Sequence, residues 1–321
     1  MTDSWERARK ILGSAGIPPD RLARLRPMGG GTYNTVEELT LTDGGRYVLK
    51  TAPTTPGLAH ERQLLVSEAD FYGAAAKAGV AAPRVLVLDG DTLLMTLCPG
   101  EPWDDSLTDT EVPVLRTELG RRLARLHEIT GPGFGYPSGA LGPLAPDWRT
   151  AFTTLYDAVL DDARRYRAWL PLPADDIART ARSAYAALDE VTVPRAVHFD
   201  LWQGNILVDR TSGTPHIGGL IDGERMFWGD PLADFVSLAL LSDIRKDDAF
   251  LAGYREAGGR AAFDRSAGLR YALYRSYLYL IMLAEAVPRE FGAEENRWRR
   301  ERVGPELLAA LGEIDGTAST T

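Results

Sequence analysis

Cysteine is nearly absent from this chain. The single thiol, Cys98, among 321 residues excludes an intrachain disulfide and a thiolate-bound metal cluster. A basic excess is also missing, since 36 Lys and Arg stand against 45 Asp and Glu for a net charge of −9. That balance speaks against nucleic acid as a sequence-independent partner, because phosphate-backbone binding needs a basic face. No apolar run approaches the roughly 18 residues of a membrane span. The opening Met1-Thr-Asp-Ser-Trp-Glu-Arg reads as a polar helix start rather than a charged-then-apolar leader. The expectation is a cytoplasmic protein without a membrane partner. The chain shows no internal repeat and carries no signal for an oligomeric state. What it does have, 45% apolar and 25% charged residues, is the composition of an ordinary globular protein. Its length suits one large or two ordinary domains, each with its own core.

Residues 4–15 read as a short amphipathic helix ended by Gly16. A glycine-rich turn, Gly29-Gly30-Gly31-Thr32-Tyr33-Asn34, then feeds a strand at about 36–42. Asp43-Gly44-Gly45 is a hairpin turn, and Arg46–Lys50 is the next strand. The glycine loop therefore joins two antiparallel strands. It does not open a helix, which argues against a P-loop or a dinucleotide fingerprint. Gly30 and Gly31 allow backbone N–H groups to approach a phosphate, and Thr32, Tyr33 and Asn34 are expected to add side-chain contacts. Residues 58–78 form a helix capped by Gly79, with Leu64, Leu65, Phe71, Tyr72 and Ala75 on its apolar side and Glu68 among them. A carboxylate on a core-facing stripe is costly unless paired. Lys50 on the preceding strand is the expected partner of Glu68, with Glu61 as the rival carboxylate.

Residues 85–98 read as a hairpin ending at Pro99-Gly100, which sets a boundary between an N-terminal lobe, 1–97, and a C-terminal lobe, 98–321. The exposed backbone from Thr96 to Cys98 is the natural place to contact an adenine, with Met95 as a packing neighbour. Helices are expected at about 110–128, 147–169, 174–190, 231–241, 246–257 and 264–287. The tyrosines of the last one, Tyr271, Tyr274, Tyr277 and Tyr279, are expected in the core, and the small, polar tail 312–321 is expected to fray.

The most informative stretch is Val197-His198-Phe199-Asp200-Leu201-Trp202-Gln203-Gly204-Asn205-Ile206-Leu207-Val208-Asp209. Its His-x-Asp-x-x-x-x-Asn spacing, followed by an apolar strand, matches the catalytic loop of kinase-fold phosphotransferases. Residues 205–209 and 216–222 read as two strands around the turn Thr211-Ser-Gly-Thr-Pro215. A hairpin centred between Gly213 and Thr214 sets Asn205 opposite Asp222, with Cβ atoms about 4.5–5.5 Å apart. Both side chains then reach one cation. Asp200, Asp222 and a polyphosphate in one cleft repel by about 4 kcal/mol per charge pair at 4 Å and an effective dielectric near 20. Mg²⁺ is the hard, oxygen-liganded ion that relieves such crowding. This assigns Asp200 as base or hydroxyl-orienting group, and Asn205 and Asp222 as Mg²⁺ ligands. Asp230-Pro231 fits a helix N-cap followed by proline. Glu224 reads either as support for the metal or as a surface ion pair, and Trp202 either as a cleft wall or as packing. No Asp-Phe-Gly to Ala-Pro-Glu activation segment separates Asp222 from the helix near Pro231, which argues against a polypeptide acceptor.

From Met28 to about Leu241 the chain resembles the aminoglycoside phosphotransferase family of small-molecule kinases, related to choline, homoserine, methylthioribose and fructosamine kinases. Val48-Leu-Lys50, Glu68, Leu119-Gly-x-x-Leu-Ala-x-Leu-His127, His198-x-Asp200 to Asn205, Leu220-Ile-Asp222 and Gly229-Asp-Pro-Leu-Ala-Asp234 sit where that family has its motifs. The resemblance implies an α+β, two-lobed, protein-kinase-like fold, with an N-terminal antiparallel sheet and helix and a mainly helical C-terminal lobe. It also implies Mg²⁺-dependent transfer of the γ-phosphate of ATP or GTP to a small-molecule hydroxyl, with Asp234 anchoring the catalytic loop from below. Two positions depart from the family. Phe199 replaces its glycine, and Gly223 replaces its Trp or Phe, and both departures are expected to bear on substrate more than on competence.

Overall fold

Helix α1 (Thr2–Ser14) leads into strands β1 (Leu22–Pro27), β2 (Thr35–Leu41) and β3 (Arg46–Thr51), then helix α2 (Leu64–Ala78), then strands β4 (Val85–Asp89) and β5 (Thr92–Thr96). The computed structural model describes residues 2–29, 33–54 and 57–318. The five strands make one antiparallel sheet in the order β1-β2-β3-β5-β4. Gly44, at φ +86°, makes the expected turn between β2 and β3. The two-residue period of a strand decides what lies on each side of the sheet. Leu49 packs with Ala8, Ile11 and Leu12 of α1 and with Leu39, Leu41 and Leu94. Val48, Leu93 and Met95 face the other way, into the core shared with Leu65, Phe71 and Ala75 of α2. Lys50 falls on the Val48 face and is thereby aimed at α2.

That helix starts later than its sequence suggests. Ala59–Glu61 is a separate 3₁₀ turn, and Gln63 at φ +58° breaks the chain before Leu64. The turn crosses to the helical half of the molecule instead. Ala59 N–H donates to Asp162 Oδ2 at 2.6 Å, and the Tyr166 hydroxyl donates to Gly57 O at 2.6 Å. Glu61 does not compete for Lys50, because it pairs with Arg289 at 2.5 Å.

Beyond β5 come β6 (Glu101–Pro102), α3 (Glu111–Leu126), α4 (Trp148–Tyr166), α5 (Ala174–Ser183), β7 (Arg195–Val197), β8 (Ile206–Asp209), β9 (His216–Leu220) and β10 (Phe227–Gly229). The chain closes with α6 (Asp234–Leu238), α7 (Asp248–Glu256), α8 (Arg265–Ala284), α9 (Ala293–Trp298) and α10 (Gly304–Ala318). The α+β, protein-kinase-like architecture expected from the sequence is the one observed. Two expected helices are shorter, since 174–190 ends at Ser183 and 231–241 reduces to a 3₁₀ turn, Pro231–Ala233, plus α6. The four tyrosines of α8 are wholly buried, as expected. Burial is tolerable because each hydroxyl has a partner. Tyr274 donates to Asp230 Oδ2 at 2.8 Å, Tyr277 meets Tyr136 at 3.2 Å, and Tyr271 and Tyr279 accept from Ile244 and Leu241 N–H.

The tail does not fray where its composition suggested. Residues to Ala318 continue α10, because Leu307, Leu311 and Ile314 form an i, i+4, i+7 stripe that is buried in the core shared with α8.

The β8–β9 hairpin departs from the expected register. Val208 pairs with Ile217 and Leu207 with Gly219, so Gly218 is a bulge. A Cβ on Gly218 would lie 2.2 Å from Pro99 O, so only glycine admits this close approach. The turn is centred between Ser212 and Gly213, one residue earlier than expected, which by itself would leave Asp222 two residues past Asn205; the bulge recovers one, so Asn205 O accepts from Ile221 N–H at 3.0 Å and Asp222 is one residue further along rather than directly opposite Asn205.

Candidate active site

The loop between β7 and β8 is held from beneath. Asp234, fully buried at the start of α6, accepts from His198 N–H at 3.1 Å, from Phe199 N–H at 2.6 Å and from His127 Nε2 at 2.9 Å. Ser237 Oγ accepts from Leu201 N–H at 2.9 Å. Three buried N–H groups of one loop are thus satisfied by one helix start, the anchoring role the resemblance implied for Asp234.

His198 is locked into one tautomer. Its Nδ1 accepts from Asp200 N–H at 3.1 Å, so the proton sits on Nε2, which donates to Ile221 O at 2.9 Å. The imidazole bolts the Asp200 loop to the Asp222 strand and has no lone pair left to act as a base. Asn205 Nδ2 donates to Asp200 O at 2.8 Å and to Asp200 Oδ2 at 3.2 Å. Its Oδ1 makes no hydrogen bond among the described residues. Burial raises the Asp200 carboxyl above the usual range, and the charge of Arg225 opposes that rise.

The departures at 199 and 223 each have a packing counterpart in the fold. Phe199 adopts φ +63°, a left-handed conformation that explains why glycine serves there elsewhere. Its ring is fully buried against Phe227 and Tyr277, at centroid distances of 5.0 and 5.4 Å, and lines no cleft. A Cβ on Gly223 would lie 2.3 Å from Phe71 Cδ1, so an aromatic of α2 fills the space that a residue after Asp222 would take.

Lys50 is the centre of the second group. Its ammonium is buried and lies 2.8 Å from Glu68 and 2.7 Å from Glu224, and it also pairs with Asp222. Burial works against its charge, yet the carboxylates of Asp222, Glu224 and Glu68 hold it well above the ordinary lysine range. Tyr72, which the sequence placed on an apolar stripe, uses its hydroxyl to join the parts, donating to Glu68 at 2.7 Å and accepting from Asp222 N–H at 3.1 Å. Burial lifts Glu224 to about 8 and raises Glu68, while Lys50 overcomes the same effect and keeps Asp222 low. Glu224 is therefore a buried member of the site and not a surface ion pair. Its other partner is Asn34, whose Nδ2 donates to it.

Lys50, Glu68, Asp222 and Asn34 are thus brought together, with Glu224 added, and Asp200 and Asn205 form the adjoining pair. Gly30, Gly31 and Thr32 lie outside the described residues. Thr96 offers no free backbone donor, because its N–H is spent on Arg84 O at 3.0 Å, and its Oγ1 accepts from Arg84 N–H at 2.9 Å. Cys98 N–H makes no hydrogen bond among the described residues, and burial pushes its thiol up to about 11, away from reactivity. Trp202 is 47% exposed and lies over Gly204, where a Cβ would be 2.3 Å from its ring.

The donor set suits a divalent cation. Single oxygens of Glu68, Asp222 and Glu224 lie within 4.8 Å of one another around one ammonium, an excess of buried negative charge. Sequence reasoning missed Arg225 and Glu285, which meet at 2.8 Å although they are far apart in the chain. The adjacency of Glu224-Arg225 to Asp222 was the available signal.

The model of the phosphotransferase enzyme family matches residues 24–269. A probable ketoamine kinase of Lactiplantibacillus plantarum is 27% identical over 284 residues, covering 84% of this chain and 92% of that protein. Among solved structures, a candidate fructosamine-3-kinase of Thermobifida fusca matches with TM-score 0.68 and 22% identity over 95% of this chain and 98% of that one. A choline/ethanolamine kinase family protein of Mesorhizobium loti matches with TM-score 0.63 and 21% identity over 98% and 99%. Those two likenesses establish the fold, and the match over most of the chain establishes the family. The protein belongs to the phosphotransferase enzyme family and is a small-molecule kinase.

Proposed function

We propose that the protein transfers the γ-phosphate of ATP, or of GTP, to a hydroxyl of a small molecule. Residues 1–97 would be the nucleotide-binding lobe and 98–321 the catalytic and acceptor lobe of a cytoplasmic enzyme. The observation that carries this reading is the junction of two groups. Asp200, oriented by Asn205, is tied through His198 to Ile221, the neighbour of Asp222, which with Glu68 and Glu224 rings a buried lysine. Asp200 would accept or orient the proton of the acceptor hydroxyl. Lys50, held by Glu68, would contact the nucleotide phosphates and, with Asn34 and the glycine loop, would hold the nucleotide. Cys98 N–H would meet the nucleotide base. Asn205 and Asp222 would hold Mg²⁺, with Glu224 as a further carboxylate. Bound there, the ion would neutralise phosphate charge and align the polyphosphate. The protein's share of the catalysis is then positioning and charge neutralisation.

The ketoamine-kinase relative makes a sugar-derived ketoamine the first acceptor to try, ahead of aminoglycoside-like antibiotics, amino alcohols and other sugars. The test is ADP production from ATP and Mg²⁺ across a panel of these compounds, with Asp200→Asn as control. Removing a general base lowers rate by about 10²–10⁴-fold, so the substitution should abolish the signal while leaving nucleotide binding. Turnover retained by Asp200→Asn would remove Asp200 from the reaction.

A further inference from the structure

Tyr33 follows the run Gly29-Gly30-Gly31-Thr32 and precedes β2. Its side chain reaches two segments that are distant in the chain. The hydroxyl accepts from Gly57 N–H at 2.9 Å, and the Arg289 guanidinium lies over the ring, 4.7 Å from its centroid. Burial, with the charge of Glu61, pushes the hydroxyl up to about 12, so it stays neutral.

Both partners are themselves fixed by the helical half of the molecule. Gly57 O accepts from the Tyr166 hydroxyl of α4 at 2.6 Å, and Ala59 N–H donates to Asp162 Oδ2 of the same helix at 2.6 Å. Arg289, just past α8, pairs with Glu61 at 2.5 Å and with Glu285 at 3.2 Å. A side chain of the sheet lobe is therefore gripped by groups that α4 and α8 hold in place. Asn34, the next residue, also crosses between the lobes, since its Nδ2 donates to Glu224, which it shares with Lys50. An amide nitrogen carries two hydrogens, and the second has no acceptor among the described residues. The three glycines before Tyr33 carry no side chain that could anchor this end of β2, so the task falls to Tyr33.

We propose that Tyr33 and Arg289 form a clamp between the lobes that positions Asn34 for the nucleotide phosphates, so that Tyr33 is a positioning residue and touches no phosphate itself. The gain is preorganisation, because a group already held in place loses less freedom when the nucleotide arrives. Arginine suits the clamp, since a guanidinium lays a flat face on an aromatic ring while its edges pair with carboxylates. This inference rests on the phosphotransfer reading above.

The experiment measures Mg²⁺·ADP binding by calorimetry and adenosine binding by ligand-observed NMR on the full chain, with GDP and guanosine in their place if the parent takes guanine nucleotides. Tyr33→Leu should weaken Mg²⁺·ADP by about tenfold, within the range of a partly desolvated cation–π contact. It should change adenosine affinity by less than about twofold, because adenosine has no phosphate to lose. Retained adenosine binding also shows that the variant is folded. Tyr33→Phe keeps the ring under Arg289 and should weaken Mg²⁺·ADP by about threefold or less. Arg289→Lys keeps the charge but not the flat face, and should fall between the two tyrosine variants. The double variant of Tyr33→Leu and Arg289→Lys should stay within about twofold of Tyr33→Leu, since the two substitutions remove one contact. Mg²⁺·ADP affinity of Tyr33→Leu within about twofold of the parent, an equal loss of adenosine affinity, or losses that multiply in the double variant would each overturn the proposal. If the parent binds no nucleotide, the phosphotransfer reading fails and the clamp with it. If the parent binds and Tyr33→Leu is unaffected, only the clamp fails.

Discussion

Phe199 offers a sharp test, because two opposed effects act on one side chain. Its φ of +63° strains any residue with a Cβ, by roughly 1–2 kcal/mol. The same ring is fully buried against Phe227 and Tyr277. Removing a buried phenylalanine side chain costs about 3–5 kcal/mol. Phe199→Ala loses the packing and keeps the strain, so it should be destabilised by about that full amount. Phe199→Gly loses one further methyl group, worth about 0.8 kcal/mol, but sheds the strain. Glycine also loses about 0.5–1 kcal/mol through the greater freedom of its unfolded chain. These terms nearly cancel, so the two variants should match within about 1 kcal/mol, whereas at an ordinary buried position glycine is clearly worse than alanine. Urea midpoints of the three proteins, read by tryptophan fluorescence and by activity, give the comparison. Phe199→Gly falling more than about 1 kcal/mol below Phe199→Ala would refute the strained loop, since no relief would then accompany glycine. Because the ring lines no cleft, acceptor KM at a temperature where both fold should not change.

Lys50→Met leaves Glu68, Asp222 and Glu224 without their shared counter-charge. Breaking a buried pair costs about 3–5 kcal/mol, and the deficit should shrink as pH falls, because burial raises Glu68 and lifts Glu224 to about 8, so both take up protons more readily than ordinary carboxylates; a deficit independent of pH in urea titrations would contradict the charge argument. His60 is fully buried, neither ring nitrogen has a hydrogen-bond partner among the described residues, it stacks on Tyr136 at 5.5 Å, and burial lowers it to about 3. A histidine lowered in the fold lends stability above its unfolded value near 6.5 and loses it as pH falls through 3, by up to about 4–5 kcal/mol. His60→Phe should therefore flatten the acid limb of the stability profile between pH 6.5 and 3, and an unchanged limb would assign acid unfolding to other groups.

Local periodicity and spacing in the sequence were enough to specify much of this site. The strand period aims Lys50 at α2, the helical period turns Glu68 toward it, and Asp200 and Asn205 are close enough in the chain to meet through one loop. The stripe Leu307, Leu311, Ile314 was legible too, though overall polarity pointed to a frayed tail. Other features were settled only when distant segments packed. The β8–β9 turn closed one residue earlier than spacing suggested, and the bulge at Gly218, packed on Pro99 O, restored only part of the register, leaving Asp222 one residue past Asn205. The fold put Phe71 where another chain segment's aromatic would sit, and it held Phe199 in a left-handed turn between rings from β10 and α8. It also buried Glu224 beside Lys50 and set Arg225 against Glu285, pairings separated by 174 and 60 residues. Pattern reports which face a residue occupies within its own element. Which charges share a buried space depends on how elements far apart in the chain pack, and that is where desolvation and Coulomb attraction decide their acidity and their chemistry.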